Sequence, residues 1–386
     1  MNVRAVVIGV GKSGSRFLRA TQYIDPSVGK VEVVGVADID SEKLNALIGA
    51  DIPLENDFKE ILKIPCELII VAATDSAHYE ILKYIKDQSI QFKKIICEKP
   101  VVTNDEECQF IQSAFTDNQI CVSFVERYSS AVSELKSYID KHGRNISRAS
   151  FVWSKYRVKD MRPTVGVTSE ITHPIDLACY LGAVRGDDFK LHCSCIIESN
   201  YARKAALRSE TMMVCVGFTG GMLLSGTSSY VQSGRIRTME FLLADEFSKV
   251  VEIATIKLDS PRWDDDHLSI FRIDGDTNLP VLETSYVTQS HEFGSRQYIE
   301  KICLFVEDAI RDISGGGSKA LPSKSQALLV QKIVNEFESG RKIRRCEFSD
   351  GRHASSSKEI QQLKELAKLI KFGVSTELTN DWSNQY

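Results

Sequence analysis

A chain of 386 residues is too long for one ordinary domain, and with 43% hydrophobic residues it can bury two substantial cores. A net charge of −4 gives no whole-chain attraction to nucleic acid or to an anionic membrane surface. No apolar run reaches a membrane span, and the first residues pass straight into a strand without a signal-peptide core. The ten cysteines (66, 97, 108, 121, 179, 193, 195, 215, 303 and 346) form no CxxC pair, so they read as free thiols of a reducing cytoplasm, with neither metal nor disulfide expected.

The first predicted strand, Val3 to Ile8, runs directly into Gly9-Val10-Gly11-Lys12-Ser13-Gly14 and a helix over Ser13 to Gln22. A buried strand that turns on glycines and opens a helix suits a dinucleotide pyrophosphate. Gly9 permits the tight turn and Gly11 lets backbone approach the phosphates. Gly14 lets helix and strand pack closely, and the helix N-terminus presents free N–H groups. A second strand, Val31 to Ala37, ends at Asp38, where the pattern expects an acid for the ribose hydroxyls. Asp38 would repel a 2′-phosphate. No Arg lies in Ile39-Asp40-Ser41-Glu42, and Lys43 is five positions on, so the reading leans to NAD with NADP possible.

Strands over Glu67 to Ala73, Lys94 to Cys97 and Gln119 to Val125 alternate with helices over His78 to Lys86 and Asp105 to Thr116. That is a parallel sheet wound with helices. From about residue 147 the period changes to 2. Strands are predicted over 147–155, 190–198, 210–219, 221–230, 237–244 and 249–257, an antiparallel or mixed sheet. Helices follow over 295–313 and 324–339, joined by the loop Ser314-Gly315-Gly316-Gly317-Ser318, and the polar tail carries one amphipathic helix near 358–371. The acidic run Asp264-Asp265-Asp266 before His267 reads as a solvated loop rather than a metal site.

Cys97-Glu98-Lys99-Pro100-Val101 resembles the EKP motif of the glucose–fructose oxidoreductase, inositol dehydrogenase and MocA family. Ala73-Thr74-Asp75-Ser76-Ala77-His78 resembles the family's ATPNxxH turn. Ser123-Phe124-Val125-Glu126-Arg127-Tyr128 resembles its GxxERF segment, and Ser169-Glu170-Ile171-Thr172-His173-Pro174-Ile175-Asp176 its acidic-xx-His-xx-Asp segment. The likeness runs from residue 1 to about 345, with the motifs in family order. It implies a Rossmann domain over 1–126, an α+β substrate and oligomerisation domain over 127–345 with a large, mostly antiparallel open-faced sheet, and an extension over 346–386. The resemblance also implies cofactor contacts from Lys12, Ser13, Thr74, His78, Glu98 and Lys99 beside the three glycines and Asp38.

Lys99 precedes a proline that breaks the strand, so its side chain can reach a nicotinamide ring. There a partly desolvated amine can hydrogen-bond or deprotonate an alcohol. His173 is the other acid–base candidate, with Glu170 at i−3 and Asp176 at i+3 on one helix face. Many family members carry an Asp four residues before this His. Ser169 stands there instead, and Glu170 is expected either to replace that Asp or to orient His173. The basic stretch through Tyr156, Arg157, Lys159 and Arg162 borders the substrate in the family and can meet a phosphate or carboxylate, with Arg127 and Asp176 as further contacts.

The implied activity is an NAD(P)-dependent oxidoreductase acting on a ring hydroxyl or ketone of a sugar, sugar nucleotide, sugar phosphate or cyclitol. The alternative is a redox-silent dinucleotide-binding regulatory protein of the same fold. Retention of Lys99 and His173 favours the enzyme. The nucleotide turn also resembles that of biliverdin-type reductases, a group that lacks the EKP lysine. Val214, Val216, Leu223, Leu224, Met239, Phe241, Val250 and Val251 cannot all face one side of the second sheet. Its second face is therefore expected to pair in a homodimer or homotetramer.

Overall fold

The computed structural model describes residues 1–47, 51–157, 166–184, 186, 188–199, 208–318, 320–340 and 342–346. The expected sites Lys159 and Arg162 and the expected helix near 358–371 lie outside them.

The first sheet contains β1 (Asn2–Ile8), β2 (Lys30–Ala37), β3 (Leu54–Glu55), β4 (Leu68–Val71), β5 (Lys94–Cys97) and β6 (Ile120–Val122), in the order β3-β2-β1-β4-β5-β6 with every pair parallel. Its helices are α1 (Lys12–Thr21), α2 (Ser41–Asn45), α3 (Phe58–Ile61), α4 (His78–Asp87) and α5 (Asp105–Ala114). Helices on both faces explain why β4 and β5 are buried at every residue. The strand order reverses between β1 and β4, and a cleft opens at their carboxyl ends. The strand expected over 119–125 stops at Val122, and the chain turns through a 3-10 segment, Val125–Tyr128, into the second domain.

That domain begins with a helix the sequence reading did not anticipate, α6 (Ser130–His142). The Ser129 side chain caps its start and Gly143, left-handed at φ 59°, ends it. The nine strands that follow are β7 (Asn145–Tyr156), β8 (Phe189–Ser199), β9 (Arg208–Phe218), β10 (Leu223–Ser229), β11 (Val231–Ala244), β12 (Val250–Lys257), β13 (Asp266–Ile273), β14 (Pro280–Thr288) and β15 (Lys342–Cys346). Their order is β14-β13-β12-β11-β7-β10-β9-β8-β15, antiparallel except at β10–β7 and β15–β8. Three helices complete the described chain: α7 (Thr168–Leu181), α8 (Glu300–Ile313) and α9 (Lys324–Ser339).

Alternation sorts the strand residues. Met212, Val214, Val216, Leu224, Met239, Phe241, Ala254 and Ile256 are buried under α6, α7 and α9, whereas Leu223, Val250 and Val251 are not. Helix α8 returns to the first domain. Its Phe305 packs 6.4 Å from the Phe17 ring, and Ile302, Val306 and Ile310 join the core of β1 and α1.

A buried ionic network joins these parts. Lys301 of α8 donates to Glu126 (2.9 Å), Asp259 (2.9 Å) and Asp266 (3.1 Å). Arg237 of β11 donates to Glu126 (2.7 Å) and is ion-paired with Asp259. The expectation of a solvated acidic loop is overturned: Asp264, Asp265 and Asp266 are 1, 7 and 1% exposed. Each acid has a partner, although one oxygen of Asp264 has none among the described residues and burial pushes that carboxyl up to about 7. Asp266 holds Lys301, Asp265 accepts from the Ser290 N–H at 2.7 Å, and Asp264 accepts from the Glu300 N–H at 3.2 Å.

Replacing one member leaves the others charged and unpaired. Lys301→Met should cost about 3–5 kcal/mol of unfolding free energy, measured by chemical denaturation. A loss below about 1 kcal/mol would show the network to be dispensable.

Candidate active site

The glycines divide the work of the nucleotide turn. At Gly9 (φ +91°) a Cβ would lie 2.6 Å from the backbone of Ala72 and Ala73, and at Gly14 it would lie 1.9 Å from the Gly9 carbonyl oxygen. These two let strand, turn and helix close on one another. At Gly11 a Cβ would meet nothing within 4 Å. Gly11 is also the N-cap of α1 without a side-chain cap, so open space faces the unsatisfied N–H groups of a ten-residue helix.

Glu98, just past β5, braces this turn. It accepts hydrogen bonds from the Ser13 hydroxyl, from the Ser123 hydroxyl at 3.0 Å and from the Lys99 N–H at 3.2 Å. Asp38 accepts from the Val10 N–H (2.7 Å) and the Asp40 N–H (2.9 Å), which leaves a lone pair on each oxygen. The Lys43 side chain folds back to within 3.6 Å of Asp38, so a cation does stand beside the acid.

One cleft of about 1210 Å³ runs from Gly9, Gly11, Lys12, Ser13, Asp38 and Thr74 past Glu98 and Lys99 to Tyr156, Arg157, Glu170 and His173. It exceeds the roughly 300–1,000 Å³ of a single small-ligand pocket.

Three expected contacts are placed elsewhere. His78 is fully buried, with Nδ1 2.8 Å from the Pro100 carbonyl and Nε2 3.3 Å from the Ala73 carbonyl. It ties the turn after β4 to the turn after β5 and does not face the cofactor space. Arg127 and Asp176 pair with each other at 2.6 and 2.9 Å, each about 1% exposed, with the guanidinium 4.7 Å over the Tyr180 ring. Two matched buried charges lock Val125–Tyr128 to α7 and are lost to the substrate.

Helix α7 is buried over almost its whole length, so its polar side chains are displayed in a dry wall. Lys99 Nζ donates to the Ser169 carbonyl (3.0 Å) and hydroxyl (3.2 Å) and lies 3.6 Å from Glu170. Ser169 thus holds the lysine directly, and Glu170 supplies the charge. Glu170 is ion-paired with Lys155 and lies within 3.7 Å of Arg157 and 3.9 Å of Arg237. Burial alone would raise its pKa, but Lys155, Lys99, Arg237 and Arg157 outweigh burial and hold it well below the ordinary range. Its Oε2 has no hydrogen-bond partner among the described residues.

His173 stacks on Trp153 with ring centroids 5.8 Å apart, and its Nδ1 is likewise buried without a partner. Burial first, then the charges of Lys99 and Arg237, push its pKa well down and keep the imidazole neutral. Lys155 is pushed well down too, by burial and by Arg157, Lys99 and Arg237.

The sequence reading passed over Ser169 as a holder of Lys99, and passed over Lys155, Arg237 and Trp153. A stricter use of the strand period carries part of this signal, because Trp153 and Lys155 are two apart on β7.

Residues 3–125 match the model of the GFO/IDH/MocA family, described as an oxidoreductase family with an NAD-binding Rossmann fold. The match covers the nucleotide-binding sheet and the chain up to the turn into the second domain. A curated relative, inositol 2-dehydrogenase 3 of Saccharopolyspora erythraea, is 29% identical over 151 residues, 37% of this chain and 42% of the relative. The match therefore spans about two fifths of that relative's length. Solved structures share the fold of both domains. A levoglucosan dehydrogenase complexed with NADH superposes with a TM-score of 0.71 at 19% identity, over 88% of this chain and 97% of its own. KijD10, a 3-ketoreductase from Actinomadura kijaniata in complex with NADP and TDP-benzene, gives 0.68 at 13% identity over 90% and 100%.

Open space at Gly11 separates ligand binding from folding. Gly11→Val should leave the unfolding midpoint essentially unchanged and abolish NAD binding by calorimetry. Retained affinity in a folded variant would remove the turn from the cofactor site.

His173 carries a pH signature. The unfolded chain protonates it near pH 6.5 while the folded chain keeps it neutral. Its contribution to stability is complete above that pH and falls below it, by about 1.4 kcal/mol per pH unit. The decline in stability from about pH 6.5 to 5.5 should be shallower in His173→Asn. Equal slopes would contradict a buried neutral imidazole.

Proposed function

We propose that the protein is an NAD(P)-dependent oxidoreductase that moves a hydride between the nicotinamide and a ring hydroxyl or ketone of a sugar, sugar nucleotide, sugar phosphate or cyclitol. The observation that carries this reading is the juxtaposition of Lys99, fastened by Ser169, with Glu170 and the neutral His173, in the same cleft as the glycine turn. The named activities of the inositol and levoglucosan dehydrogenases and of the 3-ketoreductase point the same way.

Gly9, Gly11, Lys12, Ser13, Asp38, Thr74 and Lys99 would hold the dinucleotide. When bound, the nicotinamide accepts or returns the hydride. The chain's own task is the proton. In alcohol oxidation the hydroxyl must shed its proton as the carbonyl forms. His173, which burial keeps unprotonated, takes it, and in the reverse direction returns it. Lys99 spends two of its three N–H donors on Ser169 and aims the third at the substrate oxygen, where it stabilises developing negative charge. Glu170 remains ionised and keeps an oxygen for a neighbouring hydroxyl of the ring. Asp38 favours NAD, and Lys43 beside it gives NADP a counter-charge. The unpaired cysteines among the described residues support a reducing cytoplasm as the site of action.

We infer further that two copies pair through the face of the second sheet opposite α6, α7 and α9, which presents Met213, Leu223, Leu242 and Ile253 only partly covered. Light scattering at micromolar concentration should give at least twice the chain mass, and a monomer would refute the pairing.

Lys99→Ala and His173→Ala should each lower turnover by roughly 10²–10⁴ with NAD affinity nearly unchanged. Normal turnover by both variants would make these residues structural and this mechanism wrong.

A further inference from the structure

We propose that the ring substrate carries an anionic group, a carboxylate or a phosphate, seated on the wall formed by Lys155, Arg157 and Arg235 beside Glu170. This rests on the reading of the cleft as a carbohydrate oxidoreductase site and names its substrate class.

Charge matching around Glu170 is incomplete among the described residues. Arg237 is balanced by Glu126 and Asp259 in the buried network. Lys99 and Lys155 remain, and they share the single carboxylate of Glu170. Among the described residues, two ammonium groups thus face one carboxylate. Arg235 adds to this surplus. This exposed side chain lines the same cleft, lies 5.4 Å from the Trp263 ring centroid and has no acidic partner among the described residues.

The surplus is costly where it sits. Lys155 is largely withdrawn from water among other cations, and burial with those neighbours drives its pKa down. A bound anion would reverse that penalty, supply the counter-charge and make charge-assisted hydrogen bonds about twice as strong as neutral ones. A neutral sugar would satisfy the spare oxygen of Glu170 through a hydroxyl but leave Lys155 sharing that one carboxylate with Lys99, and Arg235 with no acidic partner among the described residues. The wall belongs to β7 and β11 of the second domain, whereas the nucleotide turn lies between β1 and α1. Lys155 and Arg235 are therefore supplied by the second domain, whereas Lys99 and the pyrophosphate seat belong to the first.

The test uses the full chain saturated with NAD, with tryptophan fluorescence as the binding signal. The probes are inorganic phosphate, D-glucose 6-phosphate, D-glucuronate, D-glucose and myo-inositol. The anionic sugars should bind about tenfold or more tightly than D-glucose, with affinity falling as salt is added. The ratio of D-glucuronate to D-glucose 6-phosphate affinity separates carboxylate from phosphate, and inorganic phosphate competing only with the latter assigns the phosphate. Arg235→Gln and Lys155→Met should each shrink the ratio of anionic to neutral affinity by about tenfold, and Arg235→Lys should restore most of it.

Anionic probes that bind no tighter than their neutral counterparts, or not at all, overturn the proposal. So does a ratio unmoved by both variants. Nicotinamide absorbance in the same samples reads the parent assignment separately. Anion-selective binding with no cofactor reduction by any bound sugar would count against the oxidoreductase and leave this site standing. Reduction by neutral sugars without anion preference would do the reverse.

Discussion

The sealed contact of Lys301 with Glu126, Asp259 and Asp266 is the constraint on which the active cleft depends. Glu126 lies in the 3-10 segment that follows the first sheet, Lys301 comes from the helix that packs back on β1 and α1, and Asp259 lies just past β12 and Asp266 at the start of β13 of the second sheet. The ammonium is held well above its usual pKa: burial opposes the charge, and Asp259, Asp266 and Glu126 more than offset burial. Such a cluster contributes modestly when complete and costs several kcal/mol when broken, so it acts as an alignment device more than a source of stability.

Arg237 carries that alignment into the site. Besides Glu126 and Asp259, it reaches within 3.9 Å of Glu170, and its guanidinium lies 5.1 Å from both the Trp153 and Trp263 ring centroids. Trp153 in turn stacks on His173. A short chain of contacts therefore runs from the domain junction to the imidazole. Glu170 then sets the local protonation states. It stays ionised among its cations, while burial first, and then Lys99 and Arg237, keep His173 neutral. A proton acceptor and a charged donor can thus coexist along one wall.

Much of this was legible in the sequence. The strand, glycines, helix and acid from Val3 to Asp38 were readable because local geometry demands those residue types at that spacing. Lys99, Glu170 and His173 were readable because their motifs are short and continuous, and all three line the cleft. What escaped was pairing over distance. Nothing local distinguishes Asp264-Asp265-Asp266 from a solvated loop, because its partner Lys301 lies some 35 residues on. Arg127 and Asp176 are 49 apart, and their mutual neutralisation is invisible to a reading that asks what each might bind. The family resemblance implies a cofactor contact for His78, and its two backbone carbonyl partners leave no sequence signature that would say otherwise. Strand β14 was missed because nearly all of it is exposed, which removes the alternation that marks a strand.

In the proposed mechanism the junction network presents Lys99 and His173 to a nicotinamide seated by the glycine turn. A crystal structure of the full chain with bound NAD tests it most directly. The pyrophosphate should lie against Gly11 and the α1 N-terminus, with the nicotinamide ring facing Lys99 and His173. A nicotinamide ring directed away from both residues, or a dinucleotide bound outside the cleft, would contradict it.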